Sequence, residues 1–92
     1  MDSKKWTLSF SKAADKGLDK LDHPIKKRII QFLENRVLPA KDPREYGKML
    51  TGQLSGLWSY RVGDDRIIAD IQDDKLVILV VQLDHRRQIY DL

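Results

Sequence analysis

The chain has 92 residues, 41% hydrophobic and 34% charged, with only 5 Gly and 3 Pro; this fits one globular domain spanning 1–92 and excludes collagen-like, low-complexity and wholly disordered classes. There is no cysteine, which removes disulfide frameworks and thiolate metal sites, and the longest apolar run, Leu76 to Val81, falls far short of the roughly 18 residues of a membrane helix. The net charge of +3 is a mild bias, but residues 1–56 carry 12 Lys+Arg against 7 Asp+Glu whereas residues 57–92 carry 5 against 7, so attraction to a polyanion begins in the first half and cations of the second half matter by position.

Met1 to Trp6 has no apolar segment behind its lysines, which predicts no secretory signal and a cytoplasmic protein. Trp6 to Phe10 alternates large apolar with small polar residues, the period of a half-buried strand. Ser11 can cap a helix whose Ala14, Leu18 and Leu21 share one face, weakened at Gly17 and ended by Asp22-His23-Pro24. That tripeptide also starts a second helix, with Pro24 in its first turn and Ile25, Ile29, Phe32, Leu33 and Val37 along one stripe. The two helices read as an antiparallel hairpin. Leu38 to Tyr46 reads as a loop, and Lys48 to Gly56 as a short extended piece punctuated by glycine. Three strands follow, Trp58 to Val62, Arg66 to Gln72 and Lys75 to Leu83, joined by two-residue turns at Gly63-Asp64 and Asp73-Asp74. The order predicts an α+β fold: an N-terminal strand and two-helix hairpin packed on a mainly antiparallel sheet. The all-apolar last strand predicts a central position with cover on both faces. A single helical layer leaves one face short of cover, which hints at a partner protein.

Chemistry has few places to reside. P-loop, dinucleotide and Gly-x-Ser-x-Gly motifs are absent, and His23 and His85 have no metal-like spacing. Asp64, Asp65, Asp73 and Asp74 read as solvated turn residues. With Gly63-Asp64 as a two-residue loop, Arg61 faces Arg66, about 5 Å apart at Cβ on one side of the sheet. Opposed like charges need a counter-charge: either a bound anion or one of Asp64, Asp65 and Asp70. A third cationic group, His85-Arg86-Arg87, follows the last strand, with Tyr90 a turn further on. Arginine stabilises charge on a phosphoryl group, histidine moves protons near neutrality, and tyrosine hydrogen-bonds or stacks on a base. Taken singly, His85 reads as a polar strand-end residue and Tyr90 as a core or docking aromatic. Lys26, Lys27 and Arg28 suit either a solvated helix face or contact with an RNA backbone, and Lys48 suits exposure or a phosphate.

In this order and spacing the segments resemble the RelE/ParE superfamily of bacterial toxin–antitoxin toxins, over nearly the whole chain. The helical pair carries LDHPIKKRI; the sheet carries LTGQLSGLWSYRVGDDRIIADI and KLVILVVQLDHRRQIY; Gln53 to Trp58 and His85-Arg86-Arg87-x-x-Tyr90 are the most specific pieces. The resemblance to the RelE branch implies a metal-independent, cofactor-free endoribonuclease that cuts mRNA on the ribosome, a ribose 2′-hydroxyl attacking the adjacent phosphate. By the same resemblance Arg61, Arg66 and Arg86 hold the scissile phosphate, Tyr90 stacks on or hydrogen-bonds the substrate, and His85 is an acid or base. Lys26, Lys27, Arg28, Lys48 and Arg87 would bind RNA. The implied partners are a cognate antitoxin, the ribosome and mRNA, with no membrane.

Three positions depart from the pattern. Ser59 stands where many RelE relatives carry a basic residue, Asp65 replaces a common aromatic, and Asp84 a common glycine. The ParE-like branch shares the fold and poisons DNA gyrase by binding, without cutting RNA, and a non-catalytic interaction domain is a third class. The retained Arg61, Arg66, His85, Arg86 and Tyr90 favour the ribonuclease.

Overall fold

Alternation builds a strand at the start of the chain, β1 (Thr7–Phe10), in the computed structural model, which describes residues 5–85. Leu8 and Phe10 are half-buried, Thr7 and Ser9 exposed. Ser11 then caps α1 (Lys12–Asp19): its hydroxyl oxygen accepts from the Ala14 N–H at 3.1 Å and its O–H donates to the Val81 carbonyl at 2.9 Å. One side chain thus ties the helix start to the last strand. Ala14 and Leu18 are buried and Leu21 is half-buried, the face their spacing predicts. α2 (His23–Phe32) starts after Asp22 with Pro24 in its first turn. A Lys26–Asp19 ion pair at 3.5 Å joins the two helices. The apolar stripe runs on through a π turn, Leu33–Val37, closed by the Leu38 N–H donating to the Leu33 carbonyl at 2.9 Å. Ile29, Leu33 and Val37 are fully buried.

The sheet contains β2 (Lys48–Met49), β3 (Trp58–Val62), β4 (Asp65–Gln72) and β5 (Val77–His85) in the order β1-β5-β4-β3-β2. β1 runs parallel to β5; the other three pairings are antiparallel. The middle strand is therefore β4, and the all-apolar β5 lies between β4 and β1 rather than at the centre. Ile78 and Val80 are buried in the helix-side core, whereas Val77, Leu79 and Val81 are only half-buried. Full cover on both faces, expected from that apolar run, is not found along β5. Between the pairs Ala69–Val80 and Ile68–Gln82 the register shifts, leaving Val81 as a bulge.

Gly63-Asp64 forms the expected two-residue turn, with Gly63 at φ +60. Among the described residues Asp64 takes no positive φ, the pattern of a II′ hairpin with glycine first. The second turn differs from expectation. Gln72 pairs with Val77, so residues 73–76 form a four-residue loop, and Leu76 adopts φ 55. Two turn hydrogen bonds span it, from the Lys75 N–H to the Gln72 carbonyl at 3.3 Å and from the Leu76 N–H to the Asp73 carbonyl at 3.4 Å, and Arg44 braces its first residue. Arg44 stands in a 3-10 turn (Pro43–Tyr46) within the predicted loop, bonds Asp42 at 3.2 Å, grips the Asp73 carboxylate and lies 5.7 Å from the Trp58 ring centroid. Those carboxylates, Asp73 foremost, hold the Arg44 guanidinium above its ordinary pKa. The predicted extended piece is limited to β2, followed by a 3-10 turn at Gly52–Leu54.

Tyr60 is the largest fully buried side chain; its hydroxyl donates to the Pro43 carbonyl at 2.7 Å, and its ring meets Phe32 edge-on at 6.1 Å. Gly47 lies against that ring, where a Cβ would be 3.0 Å from Tyr60 Cε1 and 3.5 Å from the Ser59 carbonyl oxygen. The Ser59 oxygen is at ordinary contact distance, but the fully buried ring cannot yield freely. Gly47→Ala is expected to destabilise the fold by about 1–3 kcal/mol through overpacking, read from the urea midpoint; an unchanged midpoint would show that the ring has room to move.

Candidate functional site: a cationic row across three strands

Pairing register decides which side chains meet. Arg61 lies directly opposite Arg66, and Arg66 directly opposite Asp84, so the three form a row across β3, β4 and β5 on the face turned away from α1 and α2. Lys48 lies opposite Ser59, two residues from Arg61 and on the same face. The row thus contains two guanidinium groups, one carboxylate and a flanking ammonium. Opposed arginines repel unless a counter-charge is near. Here it is Asp84, whose Oδ2 is 3.5 Å from Arg66 Nη2 while its Oδ1 accepts from Gln82 Nε2 at 2.8 Å. Arg61 and Arg66 are exposed, and Arg61 makes no ion pair among the described residues.

That counter-charge is not one of the three expected. Asp64 is exposed at the hairpin tip, and Asp70 accepts from Gln72 Nε2 at 3.0 Å. Asp65 is the first residue of β4 rather than a turn residue; it pairs with Val62, which places it on the helix side, 5% exposed. Asp84 was visible in the sequence only as a departure, and nothing there placed it beside Arg66.

The helix-borne cations divide. Lys26 is engaged by Asp19, and Lys27 is exposed. Arg28 reaches the hairpin tip: its Nη1 lies 3.2 Å from where a Cβ on Gly63 would sit, one turn-width from the arginine pair. The backbone of His85 closes β5 opposite Asp65. The His85 side chain, with Arg86, Arg87 and Tyr90, lies outside the described residues. Among the described residues no helix is long and apolar enough to cross a membrane.

A mixed five-stranded sheet backed by two helices, with cations aligned on its far face, defines an α+β domain of the RelE/ParE kind. Residues 8–90 match the family described as the ParE toxin of the type II toxin–antitoxin system parDE. Toxin RelG of Mycobacterium tuberculosis is 29% identical over 85 residues, covering 92% of this chain and 95% of that protein. The crystal structure of the RelBE2 toxin–antitoxin complex from the same organism superposes with a TM-score of 0.82 at 28% identity, over 90% of this chain and all of that one. Free Escherichia coli RelE, as a mutant, superposes with a TM-score of 0.74 at 20% identity, over 96% and 90% of the two chains, a likeness of fold. The chain belongs to the ParE toxin family, and is a toxin of a type II toxin–antitoxin system within the RelE/ParE superfamily.

Proposed function

We propose that the protein is a ribosome-dependent mRNA endoribonuclease that inhibits translation. The observation that carries this reading is the opposed pair Arg61 and Arg66. A phosphodiester seated between them relieves their repulsion in the ground state, and the pair stabilises the additional negative charge as phosphorus becomes five-coordinate. The attacking group is the ribose 2′-hydroxyl and the leaving group the 5′-oxygen, so no cofactor is required. Arg86 joins the phosphate-binding group, Tyr90 supports the base or sugar, and His85 transfers a proton; Lys26, Lys27, Arg28, Lys48 and Arg87 contact RNA backbone. The likeness at 28% identity to the toxin of an antitoxin complex supports a cognate antitoxin as partner. Such a partner, disordered when free, would cover or distort the cationic face.

A second reading, a ParE-like gyrase poison, is favoured by the match to the ParE family. One side-by-side experiment separates them. Purified toxin with programmed ribosomes is expected to give A-site cuts by primer extension, while gyrase with plasmid gives no cleaved DNA. Intact message at saturating toxin together with gyrase-dependent breaks would replace the first reading by the second.

A further inference from the structure

Attack by a 2′-hydroxyl requires a proton acceptor, and most of the cationic face cannot supply one. Lys48, Arg61 and Arg66 are donors when charged, and Ser59 and Gln82 are neutral and non-basic. Asp84 is the one described side chain in the row that can accept a proton. Its placement suits that task. Gln82 fixes Oδ1 at 2.8 Å, Arg66 is 3.5 Å from Oδ2, and the carboxylate keeps lone pairs on both oxygens. Its side chain is 22% exposed, open to a ligand seated on the arginines. Arg66 stands between Arg61 and Asp84, about 5 Å from each at Cβ, so a nucleotide whose phosphate is held by the arginines can turn its ribose across Arg66 toward Asp84.

We propose that Asp84 is the general base of the cleavage reaction, an assignment that rests on the ribonuclease reading. The Asp84 carboxylate takes the 2′-hydroxyl proton as the 2′-oxygen bonds to phosphorus. The bond from phosphorus to the 5′-oxygen breaks, and that oxygen takes a proton from His85, the acid in the ribonuclease reading, which solvent then reprotonates. Asp84 then returns its proton to solvent, leaving a 2′,3′-cyclic phosphate and a 5′-hydroxyl with no net water consumed. Arg66 on β4 is the charged group paired with Asp84 on the row's face; at the helix-side edge of β5, residue 84 also borders a cavity of about 460 Å³ whose charged lining residues are Lys16 and Lys20 of α1, Asp22 and Asp65. His85 follows it in the chain.

The test is single-turnover cleavage on programmed ribosomes across pH, with urea unfolding as a check that each variant is folded. Asp84→Asn is expected to cut about 10²–10⁴-fold more slowly, the usual loss of a general base, and to lose the acid limb of the pH–rate profile. Asp84→Ser should behave alike, and Asp84→Glu should keep the acid limb at a reduced rate. An Asn variant that cuts as fast as wild type or faster would overturn the assignment and make Asp84 a competitor of phosphate for Arg66. A slow variant that retains the wild-type acid limb would also overturn it, leaving a residue that positions Arg66. Wild-type toxin that cuts no message at any pH would instead sink the ribonuclease reading and this assignment with it.

Discussion

Arg66→Ala is expected to lower the rate of message cleavage about 10²–10³-fold, the loss seen when one preorganised donor to a developing oxyanion is removed. Stability should barely change. The Arg66 side chain is 45% exposed and its pairing with Asp84 is long, at 3.5 Å, so the pair contributes at most about 1 kcal/mol in contact with solvent. Arg61→Ala should reduce cleavage similarly while leaving the urea midpoint unchanged or slightly raised, because it removes a like charge directly opposite Arg66. The two variants differ in one further respect. Arg66→Ala strands Asp84 without its cation beside the phosphate, so it should weaken RNA binding more than Arg61→Ala. Rate and unfolding measured on the same preparations check this. Wild-type cleavage by both variants would remove the arginine pair from the mechanism.

The largest effect on stability should come from Tyr60→Ala, about 3–5 kcal/mol for loss of a fully buried aromatic, against a total stability of about 5–15 kcal/mol for a domain. Tyr60→Phe isolates the hydroxyl. It leaves the Pro43 carbonyl without its 2.7 Å donor, at a cost of about 1–3 kcal/mol for a stranded buried acceptor. Burial also pushes the Tyr60 phenol up to about 12 from its ordinary 10.0, with the Arg44 charge acting weakly the other way. The sign follows from which state ionises first. Below pH 10 the phenol is neutral in folded and unfolded chains, and its contribution is complete. Between pH 10 and 12 the unfolded chain ionises while the folded one does not, so stability falls by up to roughly 1.4 kcal/mol per pH unit. Urea midpoints of wild type and Tyr60→Phe should therefore converge over that interval. A constant gap would show that the buried phenol does not resist ionisation.

Much of the architecture was legible in the sequence because its signals are local. Ser11 caps α1, Pro24 opens α2, and Gly63-Asp64 closes a hairpin whose glycine must accept φ +60. That turn alone places Arg61 opposite Arg66, and the pairing is found. What local signals could not supply is the register of β4 against β5. Asp73-Asp74 has the chemistry of a two-residue turn, yet Arg44, 29 residues away in the chain, holds Asp73 in a wider loop. The bulge at Val81 then moves the register by one more residue. Without it Arg66 would face Leu83, and every side chain beyond the bulge would change sides. With it Leu83 joins Ile67 on the helix side and Asp84 reaches Arg66. The candidate site was thus half readable. The arginine pair follows from a hairpin, but the carboxylate beside it depends on a long-range clasp and one surplus residue.

The parallel pairing of β1 with β5 has a consequence for biosynthesis. Thr7 waits for Val77 and Phe10 for Val80, so β1 finds its hydrogen-bonding mate only after 70 further residues have been made. Contacts so distant along the chain are slow to close. A chain interrupted before β5 has neither the mate of β1 nor the carboxylate beside Arg66, so the edge of the sheet and the cationic row are completed by the same late strand.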